Sequence, residues 1–169
     1  MSDDNNQEFV ATLESFRDLK SGISGSRIKK LTTYALEHVE DEETLVSSIV
    51  NYSRTCSDSH KLGSLYIIDS IGRAYLDEAR ANNDFINSSA KTGSCAHAVY
   101  KLGEYIQELL ADGIFKSNED HKDKIRTLID IWDRGGLFPK SYLNAVRAKC
   151  FSMDAKNDDP QSSRNEQLS

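Results

Sequence analysis

Proline is scarce in this sequence, which contains only Pro139 and Pro160 among its 169 residues. Because proline is the strongest interruption of a helix, the long stretch before Pro139 can form helices without a forced break. Strand patterns are missing as well, since no alternating run of Val, Ile or Thr lies between turn residues. The sequence therefore predicts an all-α fold.

Cysteine and long apolar runs are also scarce. Cys56, Cys95 and Cys150 are odd in number and far apart, which indicates buried, reduced thiols of an intracellular protein. The sequence shows no signal peptide and no run of about 18 apolar residues. The net charge of −6 and the pI near 5.2 argue against direct binding of nucleic acid or membranes, because both are anionic.

Catalytic and metal-binding patterns are absent too. The four histidines show no metal-ligand spacing with cysteine beyond the lone pair of Cys95 and His97. No serine, cysteine or carboxylate pair forms a credible catalytic constellation. We therefore predict no metal, no cofactor and no enzymatic activity.

Apolar residues recur at helical spacing along most of the chain. The first helix is predicted over residues 6–17. The second begins near residues 24–26 and ends at about 39, and the third begins at 41. Four more helices are predicted over 59–79, 95–115, 119–134 and 139–151. Asp41, Ser57-Asp58 and Asn118 are the predicted caps of the third, fourth and sixth helices, and Gly135-Gly136 ends the sixth.

Seven or eight helices with short connections predict a right-handed superhelical stack of antiparallel helices. The polar stretch 80–94 is predicted to be a mobile loop. Residues 1–5 and 154–169 carry too few apolar side chains to pack, so we predict a disordered N-terminus and a disordered tail or linker. The folded domain is therefore predicted to span 6–153.

A glycine-serine loop between the first two helices is edged with positive charge. Residues 17–30 sum to +4, because Asp18 is the only acid beside five basic side chains: Arg17, Lys20, Arg27, Lys29 and Lys30. Glycines allow close backbone approach, hydroxyls and amides donate hydrogen bonds, and a helix start adds a positive dipole end. This combination predicts a phosphate-binding loop.

The fourth helix carries a polar cluster opposite its apolar face. Tyr66 lies three positions before Asp69, and Arg73 lies four positions after it, so these side chains touch. Ser70 and Leu62 are predicted to lie beside them. The pattern is typical either of a solvated face with one weak ion pair or of a peptide-binding groove.

The sixth helix is a candidate wall for such a groove. Its broad apolar stripe consists of Ile125, Leu128, Ile129, Ile131 and Trp132. Trp132 is predicted to pack in the core, whereas Ile131 lies at the edge of the stripe, next to Arg134.

Three segments carry a family resemblance. The segment SDSHKLGSLYIIDSI (57–71) resembles the fourth helix of the CTD-interacting domains, which are eight-helix superhelices that bind the heptad-repeat tail of RNA polymerase II. The segments SGISGSRIKKLT (21–32) and IDIWDR (129–134) resemble the fungal Nrd-type subunit of the Nrd–Nab–Sen termination complex. The resemblance covers about residues 6–153.

The resemblance implies a peptide groove and a phosphate site. Asp69 would accept hydrogen bonds from a β-turn of the peptide, and Tyr66 would pack on a proline. Phosphate at the fifth heptad position would be read by Lys20, Ser24 and Arg27. The remaining implied groove residues are Leu19, Ile28, Leu128, Ile131 and Arg134. Arg73 is a weaker candidate, because its bond to Asp69 can be purely orienting.

The implied function is recruitment, in the nucleus, of a complex that terminates and processes non-coding RNA. Acidic peptides of nuclear RNA-processing factors are implied as additional ligands, because acidic side chains mimic phosphate. Two alternatives remain open on the residues alone: a phosphoinositide-binding membrane adaptor, and a helical scaffold whose basic loop binds nothing. Binding to anionic liposomes would favour the adaptor.

Overall fold

A computed structural model describes residues 2–151, 164–165 and 167–168 of the protein. Seven helices make up its folded part: α1 (Ser2–Ser15), α2 (Gly25–Glu37), α3 (Glu42–Thr55), α4 (Lys61–Ala81), α5 (Cys95–Lys116), α6 (Glu119–Gly135) and α7 (Lys140–Cys150). Two short strands, β1 (Arg164–Asn165) and β2 (Gln167–Leu168), pair in parallel near the C-terminus. The predicted all-α fold is confirmed.

Three helix starts differ from the prediction. Helix α1 begins at Ser2, so the backbone of residues 2–5, predicted to be disordered, is helical. Asp41 and Ser57 make no side-chain cap hydrogen bond. A short 3-10 turn precedes α3 at Val39–Asp41, and another precedes α4 at Asp58–His60, so the chain enters both helices through a tightened turn.

The predicted ends of α6 are confirmed. Asn118 Oδ1 accepts a hydrogen bond of 2.8 Å from the amide of His121, which satisfies one of the free N–H groups of the first turn. Gly136 adopts a left-handed conformation with φ 72°, as the residue after a helix often does. Arg80 Nη2 also donates to the carbonyl of Gly135 at 2.9 Å, so the end of α6 is tied to the end of α4.

The polar connection between α4 and α5 begins at 82 rather than 80, because α4 continues through Ala81. Its far end is anchored by Glu42, a fully buried residue whose Oε2 accepts from the amide of Gly93 at 3.1 Å and contacts Nδ1 of His97. Most of the predicted tail, 154–169, lies outside the described residues.

Helix α4 has a central position in the stack. It packs against α2, α3, α5 and α6. Its apolar face is completely buried, and Leu62, which helical spacing places beside the polar cluster, is buried as well. Because α4 contacts both α2 and α6, its remaining polar face forms the floor between these two helices.

Candidate functional site

Two side-chain hydrogen bonds tie the polar face of α4 to its neighbours. Thr32 of α2 and Ser70 of α4 share a hydrogen bond of 2.8 Å between their hydroxyl oxygens. Trp132 of α6 donates its indole N–H to Asp69 Oδ1, also at 2.8 Å. Adjacent residues of α4 therefore hold α2 on one side and α6 on the other, and the three helices present one shared surface, here called the α2–α4–α6 groove.

Asp69 is the most constrained side chain of this groove. Arg73 donates to it through Nε, at 2.8 Å to Oδ1, and through Nη2, at 2.7 Å to Oδ2. These bonds raise the pKa of Arg73. The side chain of Arg73 is 57% exposed, whereas that of Asp69 is only 13% exposed. The sequence predicted the Asp69–Arg73 pair but missed the indole, although a buried tryptophan N–H usually requires an acceptor.

The predicted apolar side chains of the groove differ in exposure. Ile131 is 37% exposed, whereas Ile28 and Tyr66 are half-buried at the edge of the core. Leu128 is buried within the core, so it offers a ligand little surface of its own. Trp132 is fully buried, as predicted. A ligand in the groove would therefore meet mainly Ile28, Tyr66 and Ile131 as apolar contacts.

The glycine-serine loop is pressed against the start of α4. Gly22 adopts φ +74°, and a Cβ there would lie 2.5 Å from the ring of His60. A Cβ on Gly63 would lie 2.2 Å from the carbonyl oxygen of Gly22. No real Cβ tolerates such contacts, so glycine is required at both positions for the loop to reach α4. The two glycines place the loop beside the α2–α4–α6 groove.

We expect Gly63→Ala to lower the free energy of unfolding by about 2 kcal/mol and to displace the loop. The added methyl group would meet the rigid backbone carbonyl of Gly22, which must move because it is not a flexible side chain. Chemical denaturation would give the loss of stability, and amide chemical shifts of 20–26 would report the displacement.

Gly25→Ala is the matched control for this substitution. No atom lies within 4 Å of a Cβ at Gly25, and the residue begins α2. Alanine there should leave stability unchanged or raise it slightly, because it reduces the conformational freedom of the unfolded chain. Equal destabilisation by both substitutions would contradict the close contact between the loop and α4.

Two of the three predicted phosphate contacts lie together. Ser24 caps α2, its hydroxyl oxygen accepting from the amide of Arg27 at 3.2 Å. Arg27 Nη1 donates to the carbonyl and the hydroxyl oxygen of Ser15, at 3.0 and 3.1 Å. Lys20 is exposed and contacts neither of them among the described residues. Arg27, a half-buried residue, is thus oriented by the end of α1, and its Nε and Nη2 donors have no hydrogen-bond acceptor among the described residues. They are therefore available to a ligand at the N-terminus of α2.

The positive charge of the loop is smaller than residue counting indicates. Arg17 Nε lies 2.6 Å from Glu14 Oε1, and Lys30 Nζ lies 3.6 Å from Glu8 Oε2. Both acids belong to α1 and fall outside the window that sums to +4. Within the window 17–30, the basic side chains without an acidic partner among the described residues are Lys20, Arg27 and Lys29.

Two predicted groove residues remain, Leu19 before α2 and Arg134 on α6. Leu19 is half-buried against the core, just before Lys20. Arg134 is exposed in the last turn of α6 and forms no ion pair with the described residues. Arg134 follows the exposed Ile131 by three positions, on the same face of α6, and so lies at the C-terminal end of the groove.

The cysteine thiols and the acidic residues show no reactive arrangement in the described part of the chain. Burial raises the pKa of Cys56 and of Cys150, and it raises the pKa of Cys95 to about 11, which favours the thiol over the nucleophilic thiolate. Of these, only Cys56 is fully buried, whereas Cys95 and Cys150 are half-buried. Within the same residues, no group of three or more His, Cys, Asp or Glu side chains can hold a metal ion. A bilayer-spanning helix would need more length and apolar character than any helix of the described residues has.

Comparison with known proteins places the whole fold in one family. A sequence model of the CID domain matches residues 7–146. The Rpb7-binding protein seb1 of Schizosaccharomyces pombe is 38% identical over 146 residues, a match that covers 84% of this chain and 23% of that protein. The chain thus spans about a quarter of the length of this curated relative.

Solved structures agree with this assignment. The crystal structure of the yeast Nrd1 CID in complex with Sen1 NIM1 is 72% identical, with a TM-score of 0.81, and the match covers 86% of this chain and 98% of that one. The structure of the RNA polymerase II CTD-interacting domain of Nrd1 is 70% identical, with a TM-score of 0.79 and coverage of 88% and 97%. The resemblance stated from the sequence is confirmed, and the chain belongs to the CID domain family.

Proposed function

We propose that this domain binds the phosphorylated C-terminal heptad-repeat tail of RNA polymerase II and prefers phosphate at the fifth heptad position. The observation that carries the proposal is the contact between Ser24 and Arg27 at the N-terminus of α2. Ile28 follows Arg27 directly and helps to line the α2–α4–α6 groove. In this proposal, the phosphate site and the apolar peptide groove share the first turns of one helix.

The charges of the site support an anionic ligand with a hydrogen-bonding turn. Lys20 and Arg27 would face the phosphate, while Asp69 would accept a hydrogen bond from a hydroxyl or amide of the peptide. Tyr66 and Ile131 would contact its proline and tyrosine rings. Because a flexible peptide loses conformational freedom on binding, we expect single-site affinities from micromolar to tens of micromolar.

Weak binding to one repeat suits a tail with many repeats, since neighbouring sites raise the effective concentration of the ligand. We infer that the domain is a binding module without catalytic activity and that it acts in the nucleus. Its role would be to recruit a complex that terminates and processes non-coding RNA. The solved complex of the Nrd1 CID with Sen1 NIM1 supports a second partner for the domain. We infer that acidic peptides of nuclear RNA-processing factors form this second ligand class, because acidic side chains mimic phosphate.

Fluorescence anisotropy with two-repeat heptad peptides tests the proposal. We expect the peptide phosphorylated at position five to bind more tightly than the unmodified peptide or the one phosphorylated at position two. The difference should shrink as salt is added, because the phosphate contact is exposed to screening. Absence of binding to all three peptides, together with flotation on anionic liposomes, would overturn the proposal in favour of a membrane adaptor.

A further inference from the structure

The only tryptophan of the chain uses its single polar atom on a groove carboxylate. Trp132 is fully buried, and its ring packs edge-on against Phe138 with 5.1 Å between ring centroids. Its indole N–H donates to Asp69 Oδ1 at 2.8 Å. Indole offers one donor and no acceptor, so this bond is the sole polar interaction that the side chain can make. A core residue therefore reaches the floor of the α2–α4–α6 groove.

The bonds to Asp69 leave one direction open for a ligand. An ionised carboxylate offers about four lone-pair sites. Oδ1 accepts from Trp132 and from Arg73 Nε, which uses both of its sites, and Oδ2 accepts from Arg73 Nη2, which uses one. No further donor among the described residues reaches Oδ2, so its remaining site is the acceptor that the 13% exposed side chain can present to a peptide.

Trp132 fixes this orientation more firmly than Arg73 does. The terminal torsion of an aspartate is soft, so an unrestrained carboxylate turns readily and presents either oxygen. Arg73 is 57% exposed and pairs with Asp69 across one helical turn, an arrangement that water and salt weaken. The indole is fully buried and belongs to another helix, so it cannot follow a turning carboxylate.

We propose that Trp132 is a positioning residue for ligand binding: its indole N–H locks the Asp69 carboxylate so that Oδ2 faces the groove. The inference rests on the proposed function, since it explains how the groove accepts a hydrogen bond from a peptide. It also joins the α6 wall of the groove to its α4 floor, because Trp132 lies beside the exposed Ile131 on α6 and bonds to Asp69 of α4. The bond therefore fixes the position of Asp69 relative to Ile131, the two residues that a peptide would contact.

Trp132→Phe tests the proposal, because phenylalanine retains an aromatic ring in the core and removes only the N–H donor together with part of the ring. We expect affinity for the heptad peptide to fall about tenfold, as the loss of a hydrogen bond to a charged group would produce. In the Asp69→Ala background, Trp132→Phe should cause no further loss of affinity, because its effect passes through the carboxylate.

Phe138→Leu is the matched control. It disturbs the same aromatic contact and lowers the melting temperature, but it leaves the bond to Asp69 in place, so peptide affinity should stay within about twofold of wild type. Unchanged affinity in Trp132→Phe would overturn the proposal. So would an equal loss of affinity in the presence and absence of Asp69.

A measurement without peptide separates this inference from the proposed function. In the free protein, the indole N–H resonance of Trp132 should exchange slowly with solvent, and Asp69→Ala should accelerate that exchange. Rapid exchange in wild type would overturn the positioning role even if peptides bind. Slow exchange without binding of any heptad peptide would leave the Trp132–Asp69 contact standing and overturn only the proposed ligand.

Discussion

Arg27→Ala is expected to weaken binding of the heptad peptide phosphorylated at position five by about 100-fold, which corresponds to two charge-assisted hydrogen bonds of about 1.5 kcal/mol each. The guanidinium is already oriented by Ser15 at the end of α1, so little freedom is lost when it meets a phosphate. Its Nε and Nη2 donors make no hydrogen bond to the described residues, and such a pair of donors matches the planar geometry of a phosphate edge. Anisotropy titrations at low and high salt would measure the loss.

Binding of the unmodified peptide shows whether the loss of affinity in Arg27→Ala comes from a contact with phosphate. Its affinity should change little in Arg27→Ala, because that peptide carries no phosphate for the guanidinium to contact. Arg27→Lys keeps the charge and loses the two-pronged geometry, so its affinity for the phosphorylated peptide should lie between those of wild type and Arg27→Ala. An equal loss for both peptides would mean that Arg27 acts by holding α1 against α2 rather than by reading phosphate.

Lys29→Ala serves as the matched control for charge. Lys29 lies two positions further along α2, is exposed, and makes no ion pair with the described residues. Its removal changes the net charge by the same amount as removal of Arg27. A loss of affinity as large in Lys29→Ala as in Arg27→Ala would indicate a diffuse electrostatic attraction without a defined site.

Local sequence signals were sufficient for most of the fold. Helical periodicity predicted the seven helices, and the caps at Ser24 and Asn118 follow from residue type within one turn. The errors at the starts of α3 and α4 are local too, because a 3-10 turn and an α-helix share nearly the same sequence preferences.

Contacts between distant segments account for what the sequence could not predict. Trp132 and Asp69 are separated by 63 positions, so no helical spacing relates them. Lys30 counts as a free charge within the loop because its partner, Glu8, lies on α1, far away in the sequence. The close contact of Gly22 with Gly63 depends on how α4 packs beside the loop. Such pairs follow from tertiary packing, which periodicity along one helix does not specify.

Lys61→Met should lower the free energy of unfolding by about 3 kcal/mol, since it removes one partner of a buried ion pair. The side chain of Lys61 is 1% exposed and lies 3.0 Å from Asp112 Oδ2. Its Nζ also donates to the carbonyls of Ser53 and Arg54, at 2.7 and 3.1 Å, and so satisfies the last turn of α3. Methionine fills the space of the aliphatic stem but leaves these carbonyls without a donor.

Lys116→Met provides the comparison, because Lys116 pairs with the same carboxylate. Its Nζ lies 2.9 Å from Asp112 Oδ1, but its side chain is 38% exposed. Exposed pairs contribute little, so this substitution should cost less than about 1 kcal/mol. Urea denaturation of both variants, with unchanged slopes of the transition, would measure the difference. Similar losses in the two variants would contradict the role of burial.

The cost of Lys61→Met should also depend on pH. Partial burial raises the pKa of Asp112, but hydrogen bonds from Lys116 and Lys61 outweigh this effect and hold the pKa below its usual value. A carboxyl whose pKa is depressed in the folded state stabilises the protein fully at pH values above its unfolded-state pKa of about 4. This stabilisation is lost as the pH falls through the folded-state pKa. Lys61→Met removes part of that contribution, so the stability gap between wild type and variant should narrow on acidification. It should not close, because the carbonyls of Ser53 and Arg54 remain without their donor at every pH. A gap that stays constant between neutral and acidic pH would mean that the pairing with Asp112 adds nothing and that Lys61 acts only as the cap of α3.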